Sequence, residues 1–286
     1  MSDEIEIEPL KVFVGWDSRE DIAYQVCKQS ILDHASVPVD IVPIKQLELR
    51  KAGAYTREID ALASTEFTFT RFLVPHLANW KGWALFIDCD FVFLDDIKKL
   101  FDQANDKYAV MCAQHDYVPK PGMKMDGQQQ HIYPRKNWSS AVLFNCAHAL
   151  NKSHLQLEHV NDPKKDGKLF HRFSWLSDNK IGKFSHEWNW LVGWDKEPED
   201  GKPSALHYTE GGPWFEEYKD CEYAKEWYQA KSNYFDTAMQ EKDAAFEVLT
   251  DKRQRDKERF ERDRLDTTAE YLVLPDQKKK VSSRFN

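Results

Sequence analysis

This sequence lacks several features that would by themselves identify a class of protein. It has only five Cys in 286 residues, and none of them shows the C-x-x-C spacing of a metal site. Scattered thiols of this kind predict buried Cys residues in a reducing compartment rather than a disulfide framework. No apolar run approaches the roughly 20 residues that cross a bilayer, and the opening MSDEIEIEPL lacks the pattern of a signal peptide. We therefore expect a cytoplasmic protein without a transmembrane segment.

An excess of basic charge is also missing. The chain carries 48 acidic against 40 basic side chains, so it lacks the overall electrostatic footprint of a nucleic-acid-binding protein. Aromatic residues, by contrast, are abundant, with ten Trp, eleven Tyr and seventeen Phe. Such residues fill cores first, and they also line sites that hold bases and sugar rings.

The alternation of apolar and amphipathic segments indicates an α/β fold. Short, nearly continuous apolar stretches are typical of strands that are buried on both faces. Amphipathic segments between them predict helices, including 19–32 and 66–80. We predict one domain over residues 10–215, built on a mainly parallel mixed sheet. Its predicted strands are 11–16, 39–44, 83–87, 108–113 and 139–146.

Two segments outside this pattern have their own character. Residues 115–137 are polar and rich in Pro and Gly, and a loop of this length in a compact domain is often functional. Residues 216–286 predict a helical, charged C-terminal extension with a disordered end. Its helices could join two copies of the chain in a homo-oligomer, or lie near a membrane surface, and the sequence leaves both arrangements open.

The stretch ALFIDCDFVFLDD places Asp88 and Asp90 inside an apolar run. On an extended strand, residues two apart project from the same face. Two carboxylates at that spacing repel each other unless a cation joins them or one takes up a proton. Carboxylate oxygens suit Mg²⁺ or Mn²⁺, and Mg²⁺ normally also recruits substrate phosphates. If the strand is WALFI, the pair lies at its carboxyl end, where open α/β sheets bind their ligands.

Three interpretations of this pair stand side by side. One carboxylate could cap a turn while the other pairs with Lys or Arg. A phosphatase of the haloacid dehalogenase type also has an apolar strand followed by D-x-D, but its motif lies near the N-terminus and continues with Gly-Thr, where this chain has Phe91 and Val92. A sugar-nucleotide transferase would use the pair to hold a metal on the donor diphosphate.

The order of motifs over the rest of the chain favours the third interpretation. The series FVGWD, TFTRFLVP, WALFIDCDFVFLDDI, NWSSAVLFNC, WLSDN, HEWNWL and LHYTEGGPW resembles the retaining glycosyltransferases of the A-type fold (GT-A), especially family 8 and its relatives. The resemblance covers about Lys11 to Trp214. It implies a Rossmann-like domain that binds a nucleotide sugar.

The resemblance also implies roles for individual residues. The metal would be held by Asp88, Asp90 and His207. Asp178 and Asn179 fall where the family has an acid-amide pair that faces the sugar, and Asn189 matches the Asn of its WN segment. Ser139 stands where the family has an Asn, and no Lys precedes Pro213, so Lys219 is the candidate for that role. The donor-binding set, from the base to the diphosphate, would be Val14, Gly15, Trp16, Asp17, Tyr24, Arg71, Asp88, Gly211 and Gly212.

The other histidines offer less. Their spacing predicts no second metal site, and an acceptor role is one option for His115 because it ends a strand beside the long loop. Asp17 could also cap the helix that follows it. The histidines concerned are His115, His131, His171 and His186.

The function implied is a metal-dependent, retaining transfer of a hexose from a nucleotide diphosphate sugar. The expected donor is UDP-glucose or UDP-galactose, and the expected cofactor is Mn²⁺ or Mg²⁺. The sequence does not identify the acceptor, which could be a glycan, a lipid-linked sugar or a small molecule. The alternatives that remain are the phosphatase and a non-catalytic module of the same fold that binds a nucleotide or a protein partner.

Overall fold

The structure is a computed structural model that describes residues 8–59, 63–115, 135, 137–196 and 202–272. Most of the predicted loop 115–137 and the C-terminal end predicted to be disordered lie outside these residues. The strands are β1 (Leu10–Gly15), β2 (Val39–Ile44), β3 (Trp83–Ile87), β4 (Phe91–Phe93), β5 (Val110–Cys112), β6 (Ala141–Asn145), β7 (Ile181–Lys183), β8 (Trp190–Leu191) and β9 (Ala205–His207). The helices are α1 (Asp21–His34), α2 (Gln46–Lys51), α3 (Val74–Leu77), α4 (Lys98–Phe101), α5 (Ala149–His154), α6 (Leu157–Asn161), α7 (Gly167–His171) and α8 (Ala224–Leu272).

The main sheet has six strands in the order β2-β1-β3-β6-β5-β7. The pairs β1–β2, β1–β3 and β5–β7 are parallel, whereas β6 runs antiparallel to both β3 and β5. The sheet is therefore mixed and mainly parallel, as the sequence predicts. The central strands are buried, β6 throughout and β3 from its second residue onwards, which explains why their sequences are continuous apolar runs without alternation.

A second, three-stranded sheet has the order β4-β9-β8. The chain passes from the main sheet into this one directly, because only three residues separate the end of β3 from the start of β4. Val26 of α1 and Trp227 of α8 pack against the small sheet together with Tyr208. These side chains cover the apolar face of the small sheet. The D-x-D residues lie in the short connection between the two sheets.

The helix prediction holds for α1 and fails in part for 66–80. In the latter segment the structure has a 3-10 turn at Thr70–Leu73 followed by the single turn of α3. Pro75 lies at the start of α3. Asn79 and Trp80, which follow the helix, have positive φ angles of 55° and 59°, and this backbone conformation ends it. All four residues of the 3-10 turn are buried, so packing rather than helical propensity determines this segment.

The described residues up to Tyr234 form one compact unit, and those from Phe235 form a second. The division falls inside α8, whose first turns contribute Trp227 and Ala230 to the core of the first unit. The predicted boundary at 215/216 stays a prediction. Among the described residues, no helix combines the length and the apolar character that crossing a membrane requires.

Candidate functional site

Asp88 and Asp90 lie in the turn that joins β3 to β4. Strand β3 ends at Ile87, as the WALFI prediction requires, but the expectation that both carboxylates lie on an extended strand is wrong, because Cys89 and Asp90 form a turn. The backbone N–H of Asp88 donates to Ser140 O at 2.9 Å and so continues the β3–β6 ladder by one residue. Both carboxylates remain partly accessible, with side-chain exposures of 16% for Asp88 and 20% for Asp90.

The small sheet brings His207 next to this turn. Phe91 pairs with His207 across the β4–β9 ladder, and the N–H of Tyr208 donates to Asp90 O at 3.0 Å. His207 is 2% exposed, its ring stacks on Phe91 with centroids 4.4 Å apart, and its Nε2 lies 3.4 Å from Asp90 Oδ2. Two sequence segments more than a hundred residues apart thus meet at the point where the main sheet ends.

Hydrogen bonds fix which nitrogen of His207 carries its proton. Ser140 Oγ donates to Asn137 O at 2.6 Å, which leaves its lone pairs to accept from Asn189 Nδ2 at 3.0 Å. The amide oxygen of Asn189 therefore faces His207 Nδ1, at 2.8 Å, and Nδ1–H must be the donor. In the neutral ring, Nε2 then presents a lone pair towards the carboxylate of Asp90.

Arg71 holds the other carboxylate. Its Nη1 lies 2.7 Å from Asp88 Oδ1 and donates to Ser139 O at 2.8 Å. Arg71 is 6% exposed, and its guanidinium lies over the rings of Phe67 and Phe86 at 5.2 and 4.9 Å. Arg71 is therefore a buried cation that positions Asp88, and not a helix-surface residue.

Two groups near the carboxylates were missed by sequence reasoning. Burial chiefly, and then the charges of Asp90, Asp17 and Asp88, raise the pKa of Glu20 to about 7. His171 Nδ1 lies 2.7 Å from Ser139 Oγ, beside the carbonyl that Arg71 bonds. No spacing in the sequence indicated either, because Glu20 precedes α1 and His171 ends α7, far apart along the chain.

Of the residues predicted to hold the base and ribose, Val14, Gly15, Trp16 and Asp17 lie at the carboxyl end of β1, and Tyr24 lies in α1. Val14 is fully buried and Tyr24 is 6% exposed, and both belong to the main core, where burial raises the pKa of Tyr24 to about 12. A Cβ on Gly15 would lie 2.5 Å from the Phe67 ring, so close packing requires that glycine. Trp16 is only half-buried, which leaves part of its ring to contact a ligand.

Asp17 is fully buried and bonded within the protein. Its carboxylate accepts from Arg19 N, Nε and Nη2 and from Glu66 N, all at 2.8–3.1 Å. Burial alone would raise the pKa of Asp17, but the hydrogen bonds from Arg19 and Glu66 and the charge of Arg19 lower it below its ordinary value. It does not cap α1, which has Glu20 at its N-cap without a side-chain hydrogen bond. Its role towards a nucleotide stays a prediction.

Gly211 and Gly212 follow β9 and lead into Trp214. Gly211 has φ 131°, which favours glycine. A Cβ on Gly212 would lie 2.0 Å from the Trp214 ring, so the absence of a side chain lets that ring pack closely over the backbone. The prediction that these glycines allow a diphosphate to approach remains a prediction.

Asp178 and Asn179 lie at the other edge of the sheet. They precede β7, whose first residue Ile181 pairs with Val110 at the start of β5. The end of β5 pairs with Val142, beside the end of β3. Asp178 is 89% exposed and bonds Arg135 at 2.6 Å. The register does not bring this pair together with Asp88, so its predicted role at the sugar stays a prediction.

The donor groups at the β3–β4 turn fit a divalent cation. Asp88, Asp90 and His207 each offer one ligand atom, and these atoms lie within 4.8 Å of one another. Two carboxylates suit Mg²⁺ or Mn²⁺, and an imidazole moves the preference towards a transition ion. The carboxylate of Asp88 and the ring of His207 are each held by a buried partner, which is typical of metal ligands. These three residues, here called the metal trio, can therefore hold a divalent cation.

Comparison with known proteins places the chain in a family. Over 243 residues it is 52% identical to "Protein CDI" of Arabidopsis thaliana, a match that covers 84% of this chain and 93% of that protein. The chain belongs to the Protein CDI family. No model of a protein family matches the chain, and the name of the Protein CDI family states no activity.

Solved structures show the fold of this family member. The apo structure of the bifunctional glycosyltransferase WbbM aligns with TM-score 0.56 and 18% identity over 79% of this chain and 50% of WbbM. The apo form of the glycosyltransferase GlyE from Streptococcus pneumoniae TIGR4 aligns with TM-score 0.53 and 14% identity, over 82% of this chain and 64% of GlyE. The chain thus spans half to two thirds of these proteins. The predicted A-type glycosyltransferase fold is confirmed.

Proposed function

We propose that this protein is a metal-dependent glycosyltransferase that moves a hexose from a nucleotide diphosphate sugar to an acceptor with retention of configuration. The observation that carries the proposal is the arrangement of His207 and Asp90. His207 Nε2 lies 3.4 Å from a carboxylate oxygen of Asp90, and a carboxylate oxygen of Asp88 lies within 4.8 Å of both ligand atoms. A divalent cation bound between these groups would be ligated by His207 Nε2 and would offset the negative charges of the two carboxylates.

The fold supports a nucleotide diphosphate as the ligand of that cation. The metal trio lies at the carboxyl ends of the parallel strands β1 and β3, the edge at which open α/β sheets bind ligands. Trp16 has a half-buried ring at the same edge, within reach of a base. By the resemblance to family 8, the donor is UDP-glucose or UDP-galactose.

The chain's own residues then have distinct tasks. Arg71 holds the Asp88 carboxylate, and Asn189 holds the His207 ring so that its Nε2 faces the ligand. When bound, the cation supplies Lewis-acid stabilisation of the charge that grows on the leaving diphosphate. Gly211 and Gly212 leave the backbone after β9 without side chains where the diphosphate would approach. Asp178 and Asn179 remain the candidates of the family pattern for the sugar.

The test combines binding and turnover in the full chain. Nucleoside diphosphates are screened by thermal shift with and without Mn²⁺, because a ligand that binds the folded state raises the melting temperature by mass action. Hydrolysis of UDP-glucose and UDP-galactose is then measured with Mn²⁺ and with a chelator. We expect UDP to stabilise the protein only when Mn²⁺ is present, and hydrolysis to require the ion.

Matched variants make the test specific. Asp88→Asn and Asp90→Asn each remove one charged ligand and should lower hydrolysis by more than the roughly 10- to 100-fold that follows loss of an outer-shell partner. Asp102→Asn removes an exposed carboxylate that pairs with Lys98, and it should leave the rate unchanged. Equal rates with and without Mn²⁺, or in the variants at the metal trio, would refute the proposal. A protein that binds UDP with Mn²⁺ and turns nothing over would be the non-catalytic module.

A further inference from the structure

A second group of ligand atoms converges outside the metal trio. His115 follows β5, His186 opens the 3-10 turn before β8, and Asp195 follows β8. Each offers one ligand atom, and these atoms lie within 4.8 Å of one another. We propose that His115, His186 and Asp195, here called the histidine cluster, form a second metal site that takes a borderline transition ion such as Zn²⁺.

The contacts converge on one nitrogen. His186 Nε2 lies 2.5 Å from His115 Nδ1 and 3.6 Å from Asp195 Oδ2. If the three groups formed a proton relay, the proton would enter the His186 ring at one nitrogen and leave it at the other. Here Nε2 of His186 makes both contacts. The three ligand atoms lie within 4.8 Å of one another, which is close enough to share one ion, and two imidazoles with one carboxylate suit Zn²⁺ better than Mg²⁺.

The state of the three groups supports ligation. His115 is 5% exposed, and a buried imidazole in its neutral form is the species that ligates a metal ion. Asp195 Oδ2 accepts from Leu191 N at 2.7 Å, which orients the carboxylate.

The fit requires one adjustment that the site permits. With Zn–N distances of about 2.0–2.1 Å, tetrahedral ligation sets the two nitrogens roughly 3.3 Å apart, wider than the 2.5 Å between His115 and His186. The side chain of His186 is 42% exposed, so its ring has room to move outwards. Three protein ligands leave one position open to water or a substrate oxygen, as in catalytic rather than structural zinc sites.

The experiment separates the histidine cluster from the metal trio. In the full chain, Asp88→Asn and Asp90→Asn are combined to weaken the trio, the protein is freed of metal by a chelator, and Zn²⁺ binding is measured by calorimetry and elemental analysis. We expect one tightly bound Zn²⁺. Adding His186→Asn or Asp195→Asn should weaken its affinity at least about 100-fold, more than loss of an outer-shell partner does.

A matched control and a folding check complete the design. His154 is an exposed histidine on α5, and His154→Asn should leave Zn²⁺ affinity unchanged. Thermal unfolding in chelator should be the same for the His186→Asn and His154→Asn proteins, because both rings are accessible. The proposal is overturned if the trio-weakened protein binds no Zn²⁺, or if His186→Asn and His154→Asn change the affinity equally. Since Zn²⁺ binding is read without substrate, this outcome is independent of glycosyl transfer.

Discussion

The metal trio and the histidine cluster differ in how firmly the fold holds them. In the trio, His207 is a strand residue with 2% exposure, bonded to Asn189, and Asp88 is bonded to buried Arg71. In the cluster, the side chain of His186 is 42% exposed, and its closest carboxylate oxygen is 3.6 Å away. The trio is thus organised before any ion arrives, whereas in the cluster an ion would have to position the exposed ring of His186. Charged groups that are already in position need no reorganisation at the moment of reaction. This difference favours the trio as the reaction centre.

The strongest way to break this comparison is to remove Arg71. In Arg71→Met, the carboxylate of Asp88 loses its buried partner, and loss of one member of a buried pair costs about 3–5 kcal/mol. We expect the free energy of unfolding in chelator to fall by that amount, as measured by urea denaturation. Mn²⁺ should restore more stability to this variant than it adds to the wild type, because the cation replaces the lost positive charge.

Lys98→Met provides the control for Arg71→Met. Lys98 pairs with Asp102 on the surface, with side-chain exposures of 45% and 58%, and such pairs contribute roughly 0–1 kcal/mol. Similar losses in the two variants would mean that the fold does not hold the trio through Arg71. The supposed difference between the two clusters would then disappear.

A pH titration sharpens the comparison on the trio's side. Burial chiefly, and then the charge of Arg71, lower the pKa of His171 from 6.5 to about 3. Below pH 6.5 the folded state therefore binds fewer protons at His171 than the unfolded state does. The stability that the neutral His171 contributes is present above that pH and is lost as the pH falls towards 3. Lowering the pH from 6.5 to 4.5 should therefore cost the wild type about 2 kcal/mol more than His171→Asn.

The measurement is the free energy of unfolding of both proteins across that pH range, in chelator. Asn can keep the hydrogen bond to Ser139, so the variant tests charge more than packing. His154→Asn, at an exposed position, should follow the wild-type curve. If the stability of wild type and of His171→Asn falls equally with pH, protonation of the His171 ring costs the folded state nothing, and the prediction is wrong.

The contrast between the clusters also explains what the sequence could predict. Asp88 and Asp90 stand one residue apart in the chain, after an apolar run, and the local pattern alone indicated the strand and made a bound ion one of three interpretations of the pair. His207 was found only through the resemblance, since its position depends on the β4–β9 register. The histidine cluster escaped prediction because its members come from three loops whose approach is set by β5, β7 and β8, and no spacing along the chain encodes that.

Two other incorrect predictions also arise from contacts between distant parts of the chain. The segment 66–80 has helical periodicity, but burial of all four residues of Thr70–Leu73 and the turn after Leu77 override it. Asp17 has the residue type and place of a helix cap, yet the approach of Glu66, from a distant segment, engages its carboxylate. In both cases tertiary contacts outweigh local preference, and only the three-dimensional structure contains them.

The smallest expected effect concerns Asp178, which belongs to neither cluster. Its carboxylate is 89% exposed and bonds Arg135, so Asp178→Asn should change the free energy of unfolding by no more than about 1 kcal/mol. The rate of hexosyl transfer decides its role, with Asp102→Asn as the matched exposed control. A catalytic carboxylate predicts a loss of about 100-fold or more, whereas a surface ion pair predicts a rate equal to that of the control. The register of β7 places the start of that strand beside the start of β5, whereas the Arg135 that bonds Asp178 lies in the segment leading into the start of β6, beside the end of β3, so the rate measurement decides between the two roles.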